Sequence, residues 1–359
     1  MRGLLFLVGI GAMVAAGVVA AAMPGVAVSL AVFEPPELAD GYYSLVDESG
    51  HLLLTTGLGV VVGDEFITAD NRVFVVVSVR DRTAIARFEG QEDLSPYLPA
   101  ATGPLWAAAL PLVGIYHTHS DESYIPSDGT AAIDDHGGIY DVGEALAAAL
   151  RQEGLAVIHD EAVHLPHDAG AYARSRRTAT DLLRQGANVL FDVHRDAGPA
   201  AEYSRTVDGT PVAQVMLVVG RQNPAMANNL AFARALKAAA DQKYPGVIRG
   251  ILYAHGNYNQ DLSPHSLLLE VGDDHSKKED AEKGVAMLAS LVPAVWNSPG
   301  MWRTQERSSW SILFWLFIAV VLGGGTYLVI ASGGVLPAAT RLGRIWESLK
   351  TMVRGRRPA

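Results

Sequence analysis

No cysteine occurs among the 359 residues. That absence excludes disulfides, thiolate zinc fingers, iron–sulfur clusters and thiol nucleophiles together, and any metal site must draw on histidine and carboxylate. Charge is scarce as well: 18% of residues are Asp, Glu, Lys or Arg, while 49% are hydrophobic. A disordered acidic chain would show the reverse balance. Basic residues are the minority, 28 against 38 acids for a net charge of −10, so there is no broad basic surface for nucleic acid. What positive charge there is collects at one end. From Arg341 onward six basic residues face the single Glu347, so the tail carries +5 and the remainder −15. At roughly 100–200 residues per domain, the length allows two soluble domains and no more than three.

Two long runs contain no charge at all. Leu4–Ala22 follows directly on Arg2, and Trp310–Ala331 opens on an interface-type tryptophan. About 20 apolar residues cross a bilayer, and a glycine triplet such as Gly323–Gly325 is tolerable inside a membrane helix. Basic flanks favour the cytoplasm. The expectation is a transmembrane anchor or export signal over residues 1–24, a transmembrane helix over 310–333 and a basic cytoplasmic tail over 341–359. Everything between the spans is then extracytoplasmic at a cell membrane.

The region between the runs changes rhythm once. Leu52–Thr56, Leu58–Val62, Phe66–Ala69, Arg72–Val79 and Thr83–Phe88 are short β-branched or apolar runs separated by Gly, Asp and Asn. They predict a small β-rich domain over 36–100, and nothing in them suggests chemistry. Pro96–Pro104 holds three prolines and reads as a linker. From about Leu110 strands alternate with helices. Strands are expected at Val113–Tyr116, Leu155–Ile158, Val189–Val193, Val212–Val219 and Leu267–Val271. Helices are expected at Tyr140–Gly154, Ala171–Gln185, Pro224–Lys243 and Lys278–Leu291. This alternation makes residues 108–297 an α/β domain with helices covering the sheet.

In open α/β sheets, ligands bind beyond the carboxyl ends of the strands. Three such ends carry the polar residues that stand out: Gly114–Tyr124 with His117 and His119, Leu190–Ala197 with His194, and Leu267–Gly272 with Glu270. Two histidines and a carboxylate with one open position form a catalytic zinc arrangement. His119 and His194 are the candidate imidazoles, and Glu122, Asp134, Asp135 and Asp196 are carboxylates near them. Glu270 ends a very apolar strand, where an ionised carboxylate is costly unless a metal or a reacting proton compensates. It suits a general base acting on metal-activated water. A lone strand-end histidine is more often a hydrogen-bonded or surface residue. His-x-His is a stronger signal, because alternate residues of a strand face one side.

The motifs Ile115-Tyr116-His117-Thr118-His119 with Glu122-Ser123-Tyr124, then Val142-Gly143, then Asp192-Val193-His194-Arg195-Asp196-Ala197 stand in that order. Tyr258-Asn259-Gln260-Asp261-Leu262 and Leu269-Glu270-Val271-Gly272 complete the set. Over roughly residues 110–295 the sequence resembles the stage II sporulation protein P family of cell-wall hydrolases. The resemblance implies a phosphorylase/hydrolase-like α/β fold of the zinc-dependent N-acetylmuramoyl-L-alanine amidase kind. It implies cleavage of the amide between the lactyl group of muramic acid and the first L-alanine of the peptidoglycan stem peptide.

Carried over residue by residue, His194 matches the downstream zinc ligand and His119 the upstream one, with His117 as the alternative. Glu270 matches the general base. The carboxylate ligand is Glu122 or Asp135. Arg195 would help stabilise the oxyanion, and Tyr124, Tyr258, Asn259 and Gln260 either contact sugar or stem peptide or fix loops. The expected partners are peptidoglycan, the membrane and other wall-remodelling proteins, with no nucleic acid. Two rivals stand beside this: a zinc endopeptidase acting on the cross-links, and a non-catalytic wall-binding scaffold held at the membrane.

Overall fold

Short β-branched runs broken by glycine, asparagine and aspartate build the first five strands: β1 Tyr43–Asp47, β2 Leu52–Thr56, β3 Glu65–Thr68, β4 Arg72–Arg80 and β5 Thr83–Gln91. The turns between them use positive-φ residues where they are needed, Gly50 after β1 and Asn71 and Asp81 on either side of β4. The structure is a computed structural model that describes residues 41–99 and 110–298, apart from 135 and 169, together with residues 38 and 331. The runs expected to span a membrane, 1–24 and 310–333, and the basic tail over 341–359 lie outside the described residues, residue 331 excepted. Among the described residues no helix is long and apolar enough to cross a membrane.

Beyond residue 110 the elements alternate. They are β6 Leu112–Tyr116, α1 Ile125–Asp128, α2 Ile139–Gln152, β7 Ala156–His159, α3 Ala171–Arg184, β8 Val189–Asp196, β9 Ser204–Val207 and β10 Thr210–Ala213. Then come β11 Val215–Gly220, α4 Met226–Lys243, β12 Ile248–Ala254, β13 Ser266–Asp273, α5 Lys278–Ala289 and α6 Val292–Trp296. Among the described residues the main sheet has eleven strands in the order β2-β1-β5-β4-β3-β12-β11-β13-β8-β6-β7, and β9 pairs with β10 apart from it.

The β-rich segment does not close on a sheet of its own. β3 pairs antiparallel with β12, Ile67 opposite Ile251, so the strands expected to form a separate small domain continue the α/β sheet. The join needs a residue without a side chain: a Cβ on Gly250 would come within 2.5 Å of the Ile67 carbonyl and of the Phe66 ring. Phe66 and Leu58 then share a core with Met216, Val218 and Leu268 of β11 and β13.

Alternation along β8 sets up everything that follows. Val189, Phe191 and Val193 face a core shared with Val142 and Leu146 of α2, Phe232 of α4 and Val285 of α5. Leu190 faces the other side, toward Ala179 and Leu182 of α3. Asp192, His194 and Asp196 follow Leu190 at two-residue spacing and so share its side of the sheet.

Two expected strands differ. Leu58–Val62 forms no strand, because Val61 donates its N–H to Asp64 Oδ2 at 2.9 Å and the chain turns there. Val212–Val219 is split at Gln214, whose N–H turns away to the Tyr203 carbonyl at 2.8 Å and separates β10 from β11.

Candidate metal centre

From β6 the chain passes through α2 to β7 on one side, then through α3 to β8 on the other side of β6. The order of strands therefore reverses between β6 and β8, the place where open α/β sheets take their ligands. His119 lies just beyond β6, and His194 lies near the end of β8. Glu122, in the loop after β6, closes the set. Its Oε1 sits 3.3 Å from Nδ1 of His119 and 3.3 Å from Nδ1 of His194. The ring centroids of the two histidines are 4.9 Å apart at 87°, and one donor atom from each of the three residues lies within 4.8 Å of the others. All three side chains are buried. Two imidazoles and one carboxylate converging away from water are the donor set of a zinc site that keeps a position open. The residues fit the ion that the sequence resemblance implies.

Asp192 supports this cluster from behind. Its Oδ1 lies 3.0 Å from Nε2 of His194, which leaves Nδ1 turned toward Glu122. Asp192 is itself held by Thr118, through the backbone N–H at 2.8 Å and Oγ1 at 2.6 Å. A carboxylate on the far nitrogen orients a ligand histidine and raises its basicity. The electrostatics agree. Burial opposes the His194 charge, but Asp192 and Glu122 outweigh it and raise this imidazole well above its ordinary value. Burial likewise pushes Glu122 up, yet the His194 charge and the hydrogen bonds from both histidines hold it well below the usual carboxylate range.

Glu270 stands beside the cluster. In the parallel pairing of β13 with β8 it is the residue opposite His194, and it is buried. It opens onto a cavity of about 260 Å³ that is also bordered by Arg195, Asp121 and His167. The cavity touches the donor set through these neighbours. The backbone N–H of Arg195 binds Glu122 Oε2 at 2.8 Å, and the His167 ring stacks on His119 with centroids 3.8 Å apart. The Arg195 guanidinium is fixed by the carbonyls of Ser123 at 3.2 Å and Ala131 at 2.9 Å.

A family model for Stage II sporulation protein P (SpoIIP) matches residues 89–293. The chain belongs to the SpoIIP family. Stage II sporulation protein P of Bacillus subtilis (strain 168) is 29% identical over 199 residues, which cover 50% of each protein. The chain thus spans about half the length of that curated relative. Among solved structures, the N-acetylmuramyl-L-alanine amidase Ami1 from Mycobacterium smegmatis matches with a TM-score of 0.35 and 15% identity over 53% of this chain and 99% of its own. The N-acetylmuramoyl-L-alanine amidase from Clostridium difficile 630 matches with a TM-score of 0.33 and 14% identity over 52% of this chain and 95% of its own.

In this SpoIIP-family chain the expected residues divide into two groups. His119, Glu122, His194, Glu270 and Arg195 come together as described. His117 does not join them. Its Nδ1 lies 2.9 Å from the Val193 carbonyl, its Nε2 lies 2.9 Å from Nε2 of His159, and burial, reinforced by His159, lowers its pKa to about 3. Asp135 lies outside the described residues, and Asp134 is exposed. The residues expected either to contact substrate or to fix loops are buried and hold backbone groups. Tyr124 donates its hydroxyl to the Val271 carbonyl at 2.8 Å, and Tyr258 to that of His255 at 2.9 Å. Asn259 donates to the Tyr172 carbonyl at 2.9 Å, and Gln260 joins Gly220 to Val218 through its amide.

Asp192 and His167 had no role assigned from the sequence, and Asp196 stood there only as one carboxylate near the histidines. Asp192 and Asp196 carried a usable signal, since Asp-x-His-x-Asp on one strand puts three polar residues on one face. His167 carried none, because it reaches the cavity from a loop. There its Nδ1 meets Asp121 Oδ1 at 3.0 Å.

Proposed function

We propose that this chain is a metal-dependent peptidoglycan hydrolase that cleaves the amide between N-acetylmuramic acid and the L-alanine of the stem peptide. The observation that carries the proposal is the convergence of His119, Glu122 and His194 at one buried point, with Glu270 across the β8–β13 pair on the wall of a cavity. Membership of the SpoIIP family supports the reading, and the resemblance of residues 110–295 supplies the choice of bond. A zinc ion held by the three donors would supply Lewis acidity toward the scissile carbonyl and toward a water.

The chain's own residues do the remainder. Glu270 takes the proton from the attacking water and returns it to the leaving amine. Arg195 brings positive charge to the cavity where the amide oxygen becomes anionic, and its fixed guanidinium needs no reorganisation to do so. Asp192 keeps His194 turned toward Glu122. The reading extends to location: the runs over 1–24 and 310–333 hold the catalytic region outside a cell membrane, with the basic tail inside, for sporulation or a related remodelling of the wall alongside other wall proteins.

The test is digestion of isolated peptidoglycan by the purified full chain, with bound metal quantified and products identified by mass. Free stem peptides and intact glycan strands are expected. They should disappear with a chelator and with His194→Ala, and fall about 10²–10⁴-fold with Glu270→Gln. Shortened stems would make the protein an endopeptidase instead. Wall binding without products, in metal-loaded protein, would make it a scaffold.

A further inference from the structure

The cavity beside Glu270 has a wall that the SpoIIP match does not include. Leu38, Gly57 and Leu58 line it, although the match begins only at residue 89. This wall is built in, not laid against the surface. Asp196, at the end of β8, accepts the Gly57 N–H at 2.7 Å and the Thr56 hydroxyl at 2.9 Å on Oδ1, and the Tyr203 hydroxyl at 2.6 Å on Oδ2. The Leu58 N–H returns to Thr56 Oγ1 at 3.2 Å, and the Leu38 N–H binds the Gly57 carbonyl at 3.0 Å. Behind the wall, Leu58 is packed into the core that joins the N-terminal strands to β11 and β13. The segment is therefore tied directly to the end of the strand that carries His194.

The chemistry of the wall is apolar and its scale is small. Leu38, Leu58 and Ala197, with Ala131 and Ala132 from the loop between α1 and α2, face the cavity that also holds Glu270 and Arg195. Its volume, about 260 Å³, falls short of the roughly 300–1,000 Å³ that takes a whole drug-sized ligand. Room is short at Gly57, where an added Cβ would stand 3.1 Å from the Ala197 Cβ. We infer that Gly57 and Leu58 are specificity-determining residues: they form the pocket for the small aliphatic side chain next to the scissile amide, and they set its upper size limit. The inference rests on the proposed muramoyl-L-alanine cleavage and assigns the alanine methyl group to this wall.

The test uses the full chain with two synthetic substrates, an N-acetylmuramoyl-L-alanyl peptide and its L-valyl counterpart. An oversized side chain in an apolar pocket typically costs at least about tenfold in kcat/KM, so the unaltered protein should prefer alanine by about that factor or more. Leu58→Ala enlarges the pocket and should shrink the preference several-fold. Gly57→Ala narrows it and should raise KM for the alanyl substrate while changing kcat little. Should Leu58→Ala fold poorly, Leu58→Val serves in its place. A second readout is calorimetric binding of the uncleaved alanyl substrate in a Glu270→Gln background, which Gly57→Ala should weaken by the same factor as it raises KM. If the unaltered protein releases stem peptides but neither wall variant moves the alanine-to-valine ratio or the affinity, the wall has no such role and the proposed activity stands. If the unaltered protein releases no stem peptide, both proposals fall.

Discussion

Asp192 makes no contact with the cavity, yet the orientation of His194 depends on it. An asparagine there keeps the shape and loses the charge that holds the Nε2 side of the ring. Outer carboxylates of this kind typically contribute about 10–100-fold in metal affinity. Asp192→Asn should therefore weaken zinc binding by about that factor in a competition titration with a chromogenic chelator, while the folded protein keeps its circular dichroism spectrum. An unchanged affinity would remove Asp192 from the site. His265 invites a different test. It is buried between Phe232 and Trp296, with ring centroids 6.0 and 5.3 Å away, and burial lowers its pKa from 6.5. The unfolded imidazole takes a proton near 6.5 and the native one only at lower pH, so the unfolded state binds more protons just below that value. Stability is lost as the pH falls through this window, by up to about 1.4 kcal/mol per pH unit from this one group. His265→Leu should gain stability relative to the parent on going from pH 7 to pH 5 in urea titrations; a constant difference would contradict the assignment. The preference for His119 over His117 came from the family resemblance and not from strand geometry. Strand alternation puts both on one side, but β6 ends at Tyr116, so the rule lapses at the residues that matter.

Helix α2 shows where local preference and packing disagree. Gly143 sits inside it, and in an exposed helix Gly→Ala would stabilise by about 1 kcal/mol. Here a Cβ would meet the His117 ring at 2.5 Å and His159 Nε2 at 2.6 Å. Both rings are buried, so relief requires moving the helix away from β6 and β7. Gly143→Ala should cost about 1–3 kcal/mol, as overpacking does, and a stabilised variant in urea titration would show that the helix stands further off. Most elements could be read from the sequence where an apolar stretch has marked ends, as in β6, β13 and α2 stopped by Gly154, and β8 could be read despite Asp192 within its run. β12 was not among them. Arg249 and Gly250 interrupt its apolar run, and the reason for Gly250 is the approach of β3, a contact 183 positions away in the chain by residue number. The N-terminal strands could likewise be read as strands, but not as the continuation of the main sheet, because pairing partners leave no trace in local periodicity.

The three proposed donors lie in two stretches of chain that only the folded sheet brings together, so an ion bound to all three binds the native state and not the unfolded one. Such a ligand stabilises by mass action, about 2.7 kcal/mol when its free concentration is a hundred times the dissociation constant. For a domain of 150–250 residues each kcal/mol moves Tm by about 2–4 °C. Adding zinc to chelator-treated protein should therefore raise Tm by about 5 °C or more in a calorimetric scan. His194→Ala should abolish that rise. Glu270→Gln should keep it, because this carboxylate belongs to the cavity and is not one of the three donors, and this separates loss of the ion from loss of proton transfer. A zinc-induced rise that survives His194→Ala would mean that the ion binds elsewhere, and the buried triad would then be a structural ion network and not the metal centre.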